Sequence, residues 1–265
     1  MRAARYGRLL GVQMRASAMT AMQYRVDFLI EGAMSLWWLG WNLIPLLVLY
    51  RERDVIAGDW DFPSALVVIG WFTMLRGILE GAINPSLVDV VDRIRTGAFD
   101  YTLLKPADAQ FLVSTSRFAP WRVVDVIGGV ALITYAFVRL DRAPSAGDVA
   151  LALALLASAA LVLYSLWILV VSAAFWVVRL DNLTYLFTAV FDAARWPVQV
   201  FRGAWRFVFT FVIPLALMTT YPAMAVLGSI GIGTALLSLA GALVFGALAR
   251  ALWKLAIRNY TSASS

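Results

Sequence analysis

Long apolar stretches separated by short polar segments constrain this chain more than any other feature. A helix needs about 20 mostly apolar residues to cross the roughly 30 Å hydrocarbon core of a bilayer. The predicted spans are residues 28–50, 63–84, 121–138, 149–178, 183–201 and 227–252. Because 62% of the 265 residues are hydrophobic and 14% are charged, little remains for a soluble domain. We predict an all-α integral membrane protein with about six transmembrane helices, residues 1–265 forming a single membrane domain.

Cysteine and histidine are both absent from the sequence. Their absence excludes disulfides, thiol catalysis, histidine-based metal sites and imidazole acid–base chemistry. We therefore expect neither a catalytic residue nor a metal site on this chain. The net charge of +6 would fit nucleic-acid binding, but in so apolar a chain the basic residues belong to cytoplasmic loops. We expect no nucleic-acid partner.

Residues 1–27 combine basic and apolar side chains on opposite helical faces. Several arginines precede the first acidic residue, Asp27, and Tyr6, Leu10 and Met14 recur at four-residue spacing. This pattern predicts an N-terminal amphipathic helix on the membrane surface. A cleaved signal peptide is the alternative, but the apolar stretch that follows is too long and lacks a small-residue cleavage site.

The distribution of basic residues predicts the orientation. With a cytoplasmic N-terminus, the inner segments hold roughly twice as many Lys and Arg residues as the outer ones. A full crossing at residues 207–225 would weaken this bias, and Pro214 and Pro222 interrupt that stretch. We therefore predict that residues 202–225 form a re-entrant segment on the outer side, with Pro214 and Pro222 in an outer gate. Both termini are then cytoplasmic.

Arg76 and Glu80 lie four residues apart on one face of the second predicted span. Charged groups at the centre of a membrane helix cost several kcal/mol and usually face a partner charge or a cavity. The two residues therefore form either a structural ion pair or part of a translocation pathway. An ion-coupled secondary transporter or channel would use them in a relay, although no internal repeat of the kind common in such carriers is evident.

Residues 86–119, the coupling segment, form the longest polar stretch and must lie outside the hydrocarbon. Its beginning has one apolar and one charged helical face, and Thr96 and Gly97 provide a helix stop. The apolar face carries Leu87, Val90, Val91 and Ile94, and the charged face carries Asp89, Asp92, Arg93 and Arg95. This pattern fits a helix that docks on a moving partner as well as one that lies on lipid.

The sequence of residues 95–106, RTGAFDYTLLKP, closely resembles the cytoplasmic segment of ABC-2-type permeases, in particular a bacterial subfamily of similar length. Later landmarks of that subfamily follow in the same order. They are RWP at residues 195–197, TFVIP at 210–214, YPA at 221–223 and RNYTSA at 258–263. The resemblance spans essentially the whole chain.

The resemblance implies a permease with six transmembrane helices in a bacterial cytoplasmic (inner) membrane, a cytoplasmic coupling helix and re-entrant helices before the last span. Its partners would be two copies of a separate ATPase, which bind ATP and Mg²⁺, and a second permease subunit, identical or related. No cofactor is implied on this chain. The implied ATPase-coupling residues are Asp92, Arg93, Arg95, Gly97, Asp100, Leu104 and Pro106.

The substrate class follows from the interior of the predicted bundle. Aromatic residues make up 13% of the chain, and polar side chains within the spans are sparse. We therefore expect efflux of apolar or amphipathic small molecules, with lipid-linked glycans as the alternative. The direction of transport rests on the resemblance alone.

Overall fold

The computed structural model describes residues 2–23, 25–56, 60–176 and 188–260. Within these ranges the backbone is almost entirely helical, apart from the two-residue strands Val55–Ile56 and Trp60–Asp61, which pair antiparallel. In the described residues, five helices are long and apolar enough to cross a membrane. They are Arg25–Glu52, Phe62–Arg95, Pro120–Arg139, Ala146–Ala173 and Ile232–Arg258. The predicted all-α integral membrane architecture is confirmed.

The helices that lie wholly within the described residues run from four to 28 residues in length. In chain order they are α1 (Arg2–Gln23), α2 (Arg25–Glu52), α3 (Phe62–Ile78), α4 (Asn84–Arg95), α5 (Asp100–Leu103), α6 (Ala109–Ser114), α7 (Val123–Arg139), α8 (Ala146–Ala173), α9 (Ala204–Phe207), α10 (Tyr221–Val226) and α11 (Ile232–Arg258). Three π-helical turns occupy Leu79–Ile83, Val208–Val212 and Ala216–Thr220, and 3₁₀ turns occupy Pro120–Arg122, Ala193–Arg195 and Val198–Val200.

The predicted crossing at residues 183–201 lies partly outside the described residues. Its described part begins as helix at residues 188–192 and then changes to the 3₁₀ turns Ala193–Arg195 and Val198–Val200. Trp196 has an extended backbone because Pro197 follows it and disfavours the helical conformation at the preceding residue. The described part is therefore not one continuous helix.

Helices α3 and α8 form the centre of the bundle. In the most apolar window of the helix Phe62–Arg95, 72% of the residues are buried, against 17% in α2 and 22% in α11. A Cβ at Gly129 would lie 2.5 Å from the Gly70 carbonyl oxygen, so these glycines allow the backbones of α3 and α7 to touch. Helices α2 and α11 are peripheral and expose large apolar side chains, as expected for surfaces that meet lipid or a partner subunit.

The bundle has two chemically different ends. We call the end with α1, the coupling segment and the C-terminal part of α11 the basic end. The opposite end holds the strands, the loop at residues 140–145 and the loop at residues 227–231, where an Arg142 Nη2 donates to the Leu227 carbonyl oxygen.

The second membrane helix continues beyond its predicted end. We predicted a span at residues 63–84 and a separate coupling segment, whereas α3, the π turn and α4 form one helix from Phe62 to Arg95. Pro85 cannot donate to the Gly81 carbonyl oxygen, which instead accepts the Ala119 N–H at 2.8 Å. The π turn is closed by the Asn84 N–H, which donates to the Leu79 carbonyl oxygen. The coupling segment is thus a direct extension of a membrane helix.

Residues 204–226, which we call the broken segment, form two short helical arms. Each combines an α-helix with a π turn, and between them Ile213 adopts φ −117° and ψ 90° before Pro214. Both arms are too short to cross a bilayer. Gly228, with φ 66°, then turns the chain towards α11. The placement of this segment relative to the bilayer, and hence the re-entrant interpretation, stays a prediction.

Candidate functional site

Helix α4 carries the predicted division into a buried and a charged face. Leu87, Val90 and Ile94 are buried in the core that α4 shares with α8. On the other face, the side chains of Asp92 and Arg95 are 72% and 43% exposed and lie 3.9 Å apart at their closest charged atoms. The exposed pair therefore faces solvent at the end of a helix whose other side is packed into the membrane bundle.

The predicted coupling residue Arg93 is partly buried and pairs with an acidic residue of its own helix. Its guanidinium lies 2.5 Å from the Asp89 carboxylate, which also approaches Arg117 at 3.7 Å. The Ser86 hydroxyl donates to the Arg117 carbonyl oxygen at 2.6 Å. The contacts of Arg117 fasten α4 to the returning chain, whereas the pair of Arg93 and Asp89 lies within α4.

Gly97 and Phe99 set the path of the chain after α4. Helix α4 ends at Arg95 and Gly97 adopts φ 75°, so the predicted helix stop is confirmed. Phe99 is fully buried and makes edge contacts with Phe175, Trp253 and Tyr260 at centroid distances of 5.5 to 6.1 Å. Burial, and then the nearby Asp100 carboxylate, raise the pKa of Tyr260. The turn is therefore anchored to α11.

Exposed apolar side chains surround this anchored turn. Tyr101 is 73% exposed and Leu104 is 79% exposed, and Leu103 is also exposed. Together with Asp92 and Arg95 these residues form what we call the tip surface. Tyr101 and Leu103 were not among the residues assigned from sequence, because the four-residue helix α5 is too short to show a periodicity. Large apolar groups held out beside charged ones are typical of a protein-docking surface.

A polar network fixes the other side of the coupling segment to two membrane helices. Both carboxylate oxygens of Asp108 accept from the Arg250 guanidinium of α11, at 2.5 and 3.1 Å. Arg250 also donates to Gln110, whose amide donates to the Tyr164 hydroxyl of α8. The bonds from Arg250 hold the pKa of Asp108 below its ordinary value. This network is not apparent in the sequence, because its members lie far apart along the chain.

Helix α1 runs alongside the same segment. The Arg5 guanidinium donates to the Pro106 carbonyl oxygen at 2.8 Å, and the Asp108 N–H donates to the Tyr6 hydroxyl at 3.0 Å. The predicted coupling residue Pro106 thus contacts the N-terminal helix through its carbonyl group.

Arg76 and Glu80 do not form the ion pair that their spacing allows. Both side chains are partly buried, and Glu80 accepts a hydrogen bond from the Asn84 amide at 3.2 Å. Within the described ranges Arg76 has neither a hydrogen bond nor a salt bridge. The π turn begins directly between the two residues, at Leu79, so the regular α-helical register that the spacing argument assumes ends there.

A charge pair that was not predicted from the sequence lies inside the bundle. Asp125 lies in the first turn of α7 and is only 6% exposed, and its carboxylate lies 3.3 Å from the Arg122 guanidinium. The pair sits against α3, because a Cβ at Gly77 would lie 3.0 Å from the Asp125 Cβ. The signal was a single aspartate in an apolar run with an arginine three residues before it. Within the spans described, Arg122 and Asp125 therefore form a structural ion pair packed against α3.

Residues 194–198 bond both to the broken segment and to helix α2. The Thr219 hydroxyl donates to the Ala194 carbonyl oxygen at 2.6 Å, and the Val198 N–H donates to the Thr220 hydroxyl at 3.1 Å. The Arg195 guanidinium donates to Asn42 of α2 at 3.0 Å. Pro214 lies at the break itself, whereas Pro222 is buried in the first turn of α10, where its missing N–H is tolerated.

A mostly apolar cavity of about 690 Å³ lies between α3, α7 and α8 towards the opposite end. Trp71, Met74, Ile133 and Phe137 line it, and Arg142 lies at its rim. Its lining suits apolar molecules that carry a polar group. In the part of the chain that the structure describes, no group of three or more acidic side chains is placed to hold a metal ion.

Comparison with known proteins identifies the family. Residues 36–264 match the family described as ABC-2 family transporter protein. No curated protein and no solved structure matches the chain. The family match covers all the membrane helices except the beginning of α2, and ABC-2 proteins are permease subunits of ABC transporters, whose transport is driven by an ATPase partner. A multi-pass helical bundle agrees with that role, and the chain belongs to the ABC-2 family of transporter proteins.

Proposed function

We propose that this chain is the permease of an ATP-driven exporter and that its tip surface docks on a separate ATPase subunit. The observation that carries the proposal is the direct extension of the second membrane helix into the coupling segment, Phe62–Arg95. A displacement of the tip by the partner would reach the centre of the bundle through one continuous, largely buried helix. Asp92, Arg95 and Leu104 meet the partner, whereas Arg93, Gly97, Asp100 and Pro106 shape the surface that meets it.

The transport cycle is mechanical on this side of the complex. ATP and Mg²⁺ bind to two copies of the partner, whose closure moves the coupling segment, and the broken segment opens around Pro214 and Pro222. The chain works with a second permease subunit in a bacterial cytoplasmic membrane, with both termini in the cytoplasm. The exposed apolar faces of α2 and α11 support such an assembly.

The substrates are apolar or amphipathic small molecules, moved outwards. The apolar cavity and its arginine at the rim support this class. Arg76 belongs to the pathway, because among the described residues no acidic partner neutralises it and a buried charge without a pair favours a functional role.

Reconstitution of the permease with its ATPase tests the docking surface. We expect Asp92→Ala with Leu104→Ala to abolish co-purification of the ATPase and the stimulation of ATP hydrolysis by transport. Arg53→Ala with Val55→Ala, which alters an exposed charged and an exposed apolar residue at the opposite end, is the matched control and should leave both unchanged. Unchanged association in the tip variant would refute the docking assignment.

A further inference from the structure

The C-terminal part of the coupling segment, residues 106–118, is bonded side by side to helix α1. Four hydrogen bonds join residues 5, 6, 13 and 17 of α1 to residues 106, 108, 115 and 118, in the same order along both segments. The Thr115 hydroxyl donates to the Gln13 side chain at 2.6 Å, and the Phe118 N–H donates to the Ser17 hydroxyl at 3.1 Å. The Tyr6 ring packs edge-on against Phe111 at 4.8 Å. A displacement of α1 would therefore be transmitted to the coupling segment.

The opposite face of α1 is exposed and has an unusual composition. Residues recur there at spacings of four and three, which places them on one helical stripe. The stripe consists of Arg8, Val12, Arg15, Met19 and Met22. Val12, Met19 and Met22 are each more than 60% exposed. Apolar side chains this exposed along one stripe require a covering surface.

The charge of the stripe identifies that surface. Residues 1–26 contain five arginines and no acidic residue, and neither Arg8 nor Arg15 bonds to any residue in the described ranges. Apolar side chains inserted at the level of the headgroups, with arginines reaching phosphates on either side, fit an anionic bilayer surface. Each arginine near such a surface adds electrostatic attraction.

We propose that α1 is an anionic-lipid sensor that sets the position of the coupling segment. Anionic headgroups bind Arg8 and Arg15, hold α1 on the bilayer, and through its four hydrogen bonds order residues 106–118. The proposal rests on the proposed function, which assigns a role in transport to the coupling segment. Lipid binding and the ordering of residues 106–118 can both be observed without the ATPase.

The absence of cysteine allows a direct test in the full chain. A fluorophore sensitive to polarity is attached to Met19→Cys, and the protein is placed in bilayer discs of phosphatidylcholine alone or with part of it replaced by phosphatidylglycerol. We expect a blue shift of the emission in the anionic bilayer and none for a label at Leu104→Cys on the tip surface. Arg8→Gln with Arg15→Gln should abolish the shift, whereas Arg51→Gln with Arg53→Gln, which removes the same charge at the opposite end, should keep it.

Hydrogen–deuterium exchange of residues 106–118 tests the transmission. In the wild-type chain, phosphatidylglycerol should slow exchange in α1 and in this segment together. Gln13→Ala with Ser17→Ala should keep the protection of α1 and lose that of the segment.

Three results would overturn the proposal. The first is an equal shift in both bilayers. The second is a shift that follows the protein-to-lipid ratio, which would assign the stripe to a second copy of the chain. The third is a shift that appears only when the ATPase is added, which would assign the stripe to that partner. A failure of the tip variants to affect ATPase association would leave the lipid result standing, so the two proposals fail separately.

Discussion

The helix that leads into the coupling segment and the broken segment each contain a proline close to a π turn, but only the broken segment is interrupted there. Before Pro85, Asn84 stays helical at φ −60° and ψ −46°, and the carbonyl oxygen left free at Gly81 accepts the Ala119 N–H. Before Pro214, Ile213 leaves the helix. Proline disfavours the helical conformation at the preceding residue in both places. The chain continues as a helix where a tertiary contact supplies a replacement donor for the freed carbonyl group.

The two segments also differ in how they are held. Side chains from α1, α8 and α11 bond to the coupling segment, and Phe99 anchors its turn. In the broken segment the second arm is buried, whereas the first arm exposes Trp205, Phe207 and Val212. We therefore expect the coupling segment to move with the membrane helices and the first arm of the broken segment to move independently.

Phe99→Ala should have the largest effect on the coupling segment. Removing a fully buried phenyl ring costs about 3–5 kcal/mol, because the cavity left between α4 and α11 cannot fully collapse. Thermal unfolding in detergent and tryptic cleavage after Arg95 would report the loss. Tyr101→Ala, two residues away but exposed, is the control and should change stability by no more than about 0.5 kcal/mol. Equal effects of the two variants would show that the turn is not anchored.

Asp108→Asn should have the second largest effect. Hydrogen bonds to charged groups contribute about 1.5–3 kcal/mol, and solvent screening at the partly exposed Asp108 and Arg250 reduces this to about 1 kcal/mol. Because Arg250 lowers the pKa of Asp108 in the folded state, the contribution is complete above the unfolded pKa of about 4 and disappears as the pH falls through the lowered value. Stability measured against pH should show this acid-side loss in the wild-type chain and a smaller one in Asp108→Asn.

Pro214→Ala should change stability by less than about 1 kcal/mol, since a proline acts largely through the unfolded chain. Its effect on function should be larger, because Ile213 is then free to become helical and the two arms can join. We expect reduced transport and slower hydrogen exchange at residues 208–220. Pro85→Ala, in a helix that is already continuous, is the control. Equal loss of transport in both variants would remove the functional distinction between the segments.

A double-mutant cycle of Arg76→Gln and Glu80→Gln should give the smallest value. The two side chains are not paired, so their interaction energy should stay below about 0.5 kcal/mol. The same cycle on Asp108 and Arg250 provides the positive control. An interaction energy above about 1 kcal/mol for Arg76 and Glu80 would show that they do form the structural ion pair that their spacing allows.

Part of the site was readable from local patterns. The apolar face of α4 and the stop at Gly97 depend on residues within one or two helical turns of each other, so spacing alone predicted them. The bonds between Asp108 and Arg250, the bonds between α1 and the coupling segment, and the contact of Arg195 with Asn42 join residues more than a hundred positions apart. No periodicity records such a contact. Arg93 pairs with Asp89 within α4, the Pro106 carbonyl oxygen accepts from Arg5 of α1, and the assignment of both residues to ATPase coupling stays a prediction.

The sequence by itself determined that the chain is an all-α membrane protein, because only helices satisfy their own backbone groups in hydrocarbon and apolar length is a local property. It also determined where α4 is apolar and where it is charged. The tertiary structure decided which proline breaks a helix, which charges pair and which side chains form the tip surface. Those outcomes depend on donors, acceptors and packing surfaces that distant segments supply only once the bundle has formed.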